Sequence, residues 1–276
     1  MTIATLTDVL TPCLTDGTAV AGLVVLGWED ALAYVRAAEA LGRPVILQAG
    51  PGCRAHTPLP VLGAMFRHLA GQATVPVVAH LDHADGFETC RIAVECGFTS
   101  VMFDGSALPL ADNIDRTARI VDWAHPLGVS VEAELGFVGY RGGAVSRATD
   151  PDEAARFVAQ TGVDALAVAV GNTHLMTETG AMLDLDRLAA IGAAAPGLPL
   201  VLHGGSGIAE ELRRRLVRET AVCKVNIGTE LRMAFGAGLR AVLAERPEAF
   251  DRLEILRATI APVEAAARTA IASLAG

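Results

Sequence analysis

Pro76-Val-Val-Ala-His-Leu-Asp-His83, then Glu88–Cys96, then Ser100-Val-Met-Phe-Asp-Gly-Ser106 form the stretch whose alternation decides the fold. The first and last runs are short and rich in Val, Leu, Met and Phe, as strands of a parallel sheet buried on both faces are. Between them, apolar residues recur at three- and four-residue intervals, the period of a helix with one packed face. Working outward, the same unit repeats along the chain. The pattern predicts eight strands, at Ala19–Leu26, Pro44–Gln48, Pro76–Leu81, Ser100–Phe103, Ser130–Glu134, Ala165–Val170, Leu198–Leu202 and Ala221–Asn226. Helical stretches fall between them, among them Glu29–Leu41, Ile114–Trp123 and Glu210–Arg218. Thr149-Asp150-Pro151 sets a capping side chain and a proline where a helix over Asp152–Gln160 leaves its first N–H groups unpaired. Eight similar units, with no Gly-x-Gly-x-x-Gly after the first strand, favour a TIM (β/α)8 barrel over a doubly wound sheet. A single α/β domain over residues 1–276 is expected, and Thr229–Ala244 and Arg252–Leu274 predict a C-terminal helical extension of the kind that makes subunit contacts.

Composition bounds the function classes. A chain of 276 residues, 52% apolar, can bury one large core. The net charge of -9, with no basic run, argues against a nucleic-acid surface. No stretch approaches the length of a membrane span, and the N-terminus lacks signal-peptide character, so a cytoplasmic protein without a membrane partner is expected. Five scattered cysteines with no Cys-x-x-Cys spacing suggest neither a disulfide framework nor a cysteine metal site.

The chemistry-bearing residues sit where barrel enzymes keep theirs, at the C-terminal ends of strands. Three of the seven histidines, His83, His174 and His203, end three different predicted strands. Three neutral imidazoles with an open fourth position make a catalytic zinc site, whereas a lone histidine is more often only hydrogen-bonded at a loop. Asp82 abuts His83, and a carboxylate beside a metal can move a proton on a hydroxyl that the metal orients. Asp104 and Glu134 are candidates to orient ligating histidines or to hold a second, monovalent cation, the alternative being an internal salt bridge with a residue such as Lys224. Glu132 shares a strand face with Glu134, and His80 is open to either face; His56, His68 and His125 read as surface or packing residues. His203-Gly204-Gly205-Ser206-Gly207 and Asn226-Ile227-Gly228-Thr229 are turns whose backbone N–H groups can converge on an anion, at the two strands where such barrels usually bind phosphate.

In order along the chain, His80-Leu-Asp-His83, Val131-Glu-Ala-Glu-Leu-Gly136, Leu200-Val-Leu-His-Gly-Gly-Ser-Gly207 and Lys224-Val-Asn-Ile-Gly-Thr-Glu-Leu231 resemble the class II, zinc-dependent fructose- and tagatose-bisphosphate aldolases over nearly the whole chain. The resemblance implies His83, His174 and His203 as zinc ligands and Asp82 as the group handling the hydroxyl proton at the bond being cut. It also implies Gly204, Gly205, Ser206, Asn226, Gly228 and Thr229 around a dihydroxyacetone-phosphate-like donor, whose enediolate the metal stabilises. No organic cofactor and no Schiff-base lysine is implied. The expected partner is a small sugar phosphate, and the expected assembly a homodimer or homotetramer.

The departures are specific. Phe137–Arg147, where relatives carry a proton-exchanging acid, holds no carboxylate, leaving Tyr140 or water as candidates. Ala21-Gly22-Leu23-Val24 stands for Pro-Ala-Phe-Asn and loses an amide; Leu175 replaces a glycine; and Asp251-Arg252-Leu253 offers only a shifted arginine for a distal phosphate. Three readings follow: an aldolase with altered acceptor specificity, an enediolate-forming isomerase or epimerase, or a catalytically silent paralogue that binds a sugar phosphate.

Overall fold

The computed structural model describes residues 2–276 apart from Tyr140, Arg141 and Ala144. Nine strands are present: β1 (Ile3–Ala4), β2 (Val20–Val24), β3 (Val45–Ala49), β4 (Val77–Ala84), β5 (Ser100–Phe103), β6 (Ser130–Leu135), β7 (Ala165–Val168), β8 (Leu200–Leu202) and β9 (Val222–Ile227). β2 to β9 pair in parallel in chain order, and β9 returns to β2 with Val20 beside Lys224 and Gly22 beside Asn226. The result is a closed eight-stranded parallel barrel ringed by helices, a TIM barrel. The eight predicted strands are all found, with ends shifted by a few residues. β4 runs three residues further than expected, to Ala84, so Asp82 and His83 belong to the strand itself.

Each strand is short and the helices cover the outside, so the outward-facing Val, Leu and Ala side chains are as buried as the inward ones. Helix ends follow the local chemistry. Asp150 accepts from the N–H groups of Asp152 and Glu153 ahead of the helix Pro151–Thr161, as its Asp-Pro start predicts. The extension consists of Thr229–Glu245 and Arg252–Ala272; the second helix packs against the helix Trp28–Leu41 and the first.

Two N-terminal elements were not anticipated. β1 adds beside the start of β4, and the helix Leu6–Asp16 follows it, opened by a reciprocal cap between Thr5 and Asp8. Leu6, Val9, Leu10 and Cys13 on this helix pack against Val20, Ile46, Val78, Met102, Val201 and Cys223, the lowest inward layer of the barrel. Each of its fully buried leucines contributes about 1.5–3 kcal/mol of apolar burial, so the helix is a firm stopper in the N-terminal end. No helix among the described residues is long and apolar enough to cross a membrane.

Candidate active site

Above the stopper the barrel interior turns polar. Lys224 Nζ on β9 donates to Glu132 Oε2 on β6 at 2.6 Å, and both side chains are fully buried. Lys224 Nζ also lies 3.2 Å from His80 Nε2, whose Nδ1 meets Ser100 Oγ at 2.8 Å. His80 therefore faces inward. Burial holds it well below the ordinary histidine value, reinforced by the Lys224 charge, so it serves as a neutral packing partner. The internal salt bridge considered for Asp104 or Glu134 with Lys224 is formed instead by Glu132, which the β6 register places one inward step deeper.

One step higher, His83, His174 and His203 come together. A ring nitrogen from each lies within 4.8 Å of the others, and the ring centroids are 4.8–5.6 Å apart. The rings are held from behind. His83 Nδ1 donates to Asp104 Oδ2 at 2.8 Å, leaving Nε2 for a ligand, and Asp104 is itself fixed by the Ser106 hydroxyl at 2.6 Å. His203 Nε2 meets Glu132 Oε1 at 3.4 Å, which leaves Nδ1 facing the cluster. Glu134 Oε2 is 3.5 Å from that nitrogen and 3.9 Å from His83 Nδ1, while its other oxygen accepts the Val138 N–H. Asp104 thus backs the His83 ring, whereas for His203 that part falls to Glu132 and, through it, to Lys224. His83 with Asp104 and Glu134 forms a second group of close donor atoms.

His203 Nδ1 and Glu134 Oε2 are buried with no hydrogen-bond partner. Such atoms are costly unless something pairs with them, and a divalent cation accepted by imidazoles and a carboxylate meets that need, so the donor set fits a metal. Electrostatics agree. Burial disfavours a charged His83, yet Asp82, Asp104 and Glu134 outweigh it and lift the imidazole to about 9. Burial raises Glu134 to about 8. Burial, with the His83 charge, lowers His174 to about 4 and puts His203 well below its usual value. Burial works against an ionised Asp82, but His83, His203 and Lys224 overcome it, so Asp82 is held below the usual carboxylate range.

A pH dependence follows for the metal-free protein. His83 and Glu134 have folded values above their unfolded ones, so the folded state binds more protons and stability falls as pH rises through about 8 to 9. His174 and His203 are depressed, so stability is lost as pH falls below about 6.5. Calorimetric melting of chelator-treated protein should peak near pH 6.5, and saturating zinc should flatten the alkaline limb by displacing those protons. A melting temperature that climbs from pH 6.5 to 9 without metal would contradict this arrangement of charges.

Asp82 sits beside the cluster, with Asn226 Nδ2 at 3.5 Å from its Oδ1. Together with His83, His174, Gly204, Ser206, Asn226, Gly228 and Thr229 it lines one cavity of about 290 Å3. Gly204 has φ +69, and a Cβ there would strike the Thr173 backbone, so the turn after β8 requires glycine. The turn is braced by Arg213, which sequence reasoning did not single out: its buried guanidinium donates to the Gly205 carbonyl and to both oxygens of Glu230, whose N–H in turn donates to Ser206 Oγ. Four arginines in the helix Glu210–Glu219 disguise the one that points inward. Gly205 is buried against Val225 and Ile227 beneath the turn rather than on the cavity wall.

His83 (φ +50) and Leu175 (φ +60) are the described non-glycine residues with left-handed backbone, and both line this cavity. Such conformations cost on the order of 1–2 kcal/mol and cluster at functional sites. The amide missing at Val24 has a neighbour in register: Gln48 of β3, fully buried, whose side chain lies against Gly22 where any Cβ would collide, and whose amide atoms have no partner. Tyr140, the candidate proton donor, lies outside the described residues. His56 and His68 are exposed, His68 stacking near Trp28, and His125 pairs with Asp164 at 2.9 Å.

The family model for fructose-bisphosphate aldolase class-II matches residues 4–275. The chain belongs to the class II fructose-bisphosphate aldolase family. The aldolase is 38% identical over 258 residues, 91% of this chain and 87% of the relative, to the 6-phospho-5-dehydro-2-deoxy-D-gluconate aldolase of Shouchella clausii strain KSM-K16. It superposes on the YdjI aldolase of Escherichia coli K12 with a TM-score of 0.86 at 33% identity, over 99% of this chain and 97% of that one. The fructose-bisphosphate aldolase of Campylobacter jejuni shares the fold, with a TM-score of 0.81 at 22% identity over 99% and 95% of the two chains. As an aldolase the protein is a lyase acting on sugar phosphates, which sets aside the isomerase and silent-paralogue readings of the sequence.

Proposed function

We propose that this aldolase uses one divalent ion, zinc, to cut or form a carbon–carbon bond in a ketose phosphate with a dihydroxyacetone-phosphate-like donor half. The observation that carries the reading is that three imidazoles meet at one point, where two buried atoms, His203 Nδ1 and Glu134 Oε2, have no hydrogen-bond partner. His83, His174 and His203 would hold the ion, with Asp104 and Glu132 fixing two of the rings from behind. When bound, the cation polarises the ketose carbonyl and offsets the negative charge that develops as the bond breaks.

The protein's own groups supply the rest. Asp82, kept ionised, accepts the proton of the hydroxyl on the far side of the scissile bond. The O–H electron pair becomes the carbonyl of the departing aldehyde, and the bonding pair stays on the donor carbon. In the synthetic direction Asp82 returns that proton. Backbone N–H groups around Gly204, Ser206, Gly228 and Thr229, in the two turns after β8 and β9, would hold the donor phosphate, with Asn226 reaching both Asp82 and the donor. Phe250 and Leu253, exposed on the C-terminal extension, support self-association as a dimer or tetramer.

Elemental analysis of the purified protein should find about one zinc per chain. Incubation with a panel of ketose phosphates, including a sugar-acid phosphate suggested by the name of the Shouchella clausii relative, should release a triose phosphate that a chelator abolishes and zinc restores. Undiminished release after complete metal removal would defeat the proposal.

A further inference from the structure

We propose that Arg54 is a positioning residue of the active site: its guanidinium holds a one-residue bulge in β4 that turns Asp82 and His83, neighbours in sequence, toward the same cavity. The role rests on the metal site proposed above and accounts for how the first of its histidines comes to face it.

Side chains alternate across a strand, so adjacent residues point to opposite faces. β4 obeys this at first. Val77, Ala79 and Leu81 pack into the outer core under the helices, while Val78 joins the inner layer and His80 reaches Lys224 inside the barrel. On that phase Asp82 faces inward and His83 would face outward, away from the other two histidines. Both nevertheless line the cavity. The pairing with β5 shows how. Leu81 lies beside Val101 and Ala84 beside Phe103, so Asp82 and His83 together stand opposite Met102 alone. One extra residue is accommodated there, His83 takes φ +50, and Ala84 rejoins the outer core one step out of phase.

A bulge interrupts the ladder and leaves backbone groups in need of other partners. Arg54 provides them. Its Nη1 donates to the Asp82 carbonyl and its Nη2 to the His83 carbonyl, each at 2.7 Å. Nη1 also reaches the carbonyl of Ala49, the last residue of β3, at 3.4 Å. A rigid planar fork thus spans two successive carbonyls, which a single ammonium could not do. The short helix Pro51–His56 that carries Arg54 is anchored beside β4 by the buried Cys53. The Asp85 carboxylate nearby accepts the Thr89 hydroxyl at 2.5 Å and leaves the guanidinium to the backbone.

Arg54 does not line the cavity, so it acts on the reaction through the two residues whose peptides it grips. Left-handed backbone is unfavourable for a histidine. Asp104 fixes the His83 ring, and Arg54 fixes the strained peptide that carries it. Without the fork, the segment between Leu81 and Ala84 would relax, moving His83 Nε2 off the cluster and Asp82 off the scissile bond.

The test compares wild type with Arg54→Met, Arg54→Lys and Arg43→Met. Arg43 also donates to two carbonyls, those of Ala19 and Leu274 at 3.4 Å, but at the start of β2, so it reports the loss of such bonds away from the site. Zinc affinity is measured by competition with a chromophoric chelator, and the geometry of the site by the visible spectrum of cobalt-loaded protein. Arg54→Met should bind zinc about ten- to a hundredfold more weakly, with altered cobalt bands and a similar fall in kcat at little changed KM. Arg54→Lys should fall in between, and Arg43→Met should match wild type in all of these. In chelator-treated wild type and Arg43→Met at neutral pH, the His83 Nδ1 proton held by Asp104 should give a downfield resonance that Arg54→Met loses. Should Arg54→Met fail to fold, Arg54→Lys is judged against Arg43→Met by the same readings. Zinc affinity, cobalt bands and histidine resonance indistinguishable from those of Arg43→Met would overturn the role. A wild type that binds no zinc would count against the proposed metal site, while the histidine resonance would still decide for or against Arg54.

Discussion

Asp82→Ala should lower kcat by about 10²–10⁴ while leaving metal content and fold nearly intact. The carboxylate touches neither the backs of the rings nor the ion pair below them; its described side-chain partner is Asn226 at 3.5 Å. Its loss removes the proton acceptor and one of the charges acting on His83, but leaves in place the Asp104 and Glu132 contacts that fix the rings. His203→Ala should behave differently, losing metal and turnover together, because that ring is fully buried between Glu132 and the cluster. Side-by-side kinetics and elemental analysis of the two variants separate proton transfer from metal retention. Near-wild-type kcat in Asp82→Ala would remove the residue from the mechanism.

The largest effect on stability is expected from Lys224→Met. Lys224 and Glu132 are both fully buried, 2.6 Å apart, and removing the ammonium strands a carboxylate in the barrel interior. Breaking one side of such a pair costs about 3–5 kcal/mol, whereas replacing both partners is far milder. Urea unfolding of Lys224→Met should show a loss of that size, and adding Glu132→Gln should recover a large part of it. The damage should also reach the metal, since Glu132 would no longer be held against His203 Nε2. Zinc affinity about ten- to a hundredfold weaker is expected in the single variant. Additive losses in the double variant would show that the two charges do not act as a pair.

The barrel was legible because eight runs of Val, Ile, Leu and Ala alternate with helical periodicity, and because the polar residues ending those runs are too unusual for mere turns. The stopper helix was hidden: its lead-in strand is two residues long, and Pro12 inside Leu6–Asp16 speaks against a helix. The inner charge layer was hidden for a different reason. Lys224 and Glu132 are 92 positions apart, and nothing local marks them as a pair. Asp104 was readable as a group to orient a ligating histidine or hold a cation, and the neighbouring strand ends of the fold show that it meets His83. Arg213 looked like one more solvated arginine, and only packing against Gly205 shows otherwise.

The closure of β9 onto β2 has a consequence for biosynthesis. Lys224 and Asn226 take their places beside Val20 and Gly22, so the last barrel strand to leave the ribosome must dock against the first. Until it does, Glu132 has no counter-charge and Asp82 lacks its amide neighbour. A nascent chain halted before residue 222 would carry all three candidate metal-ligating histidines yet no finished pocket, so the proposed ion would find its complete site only after β9 has closed onto β2.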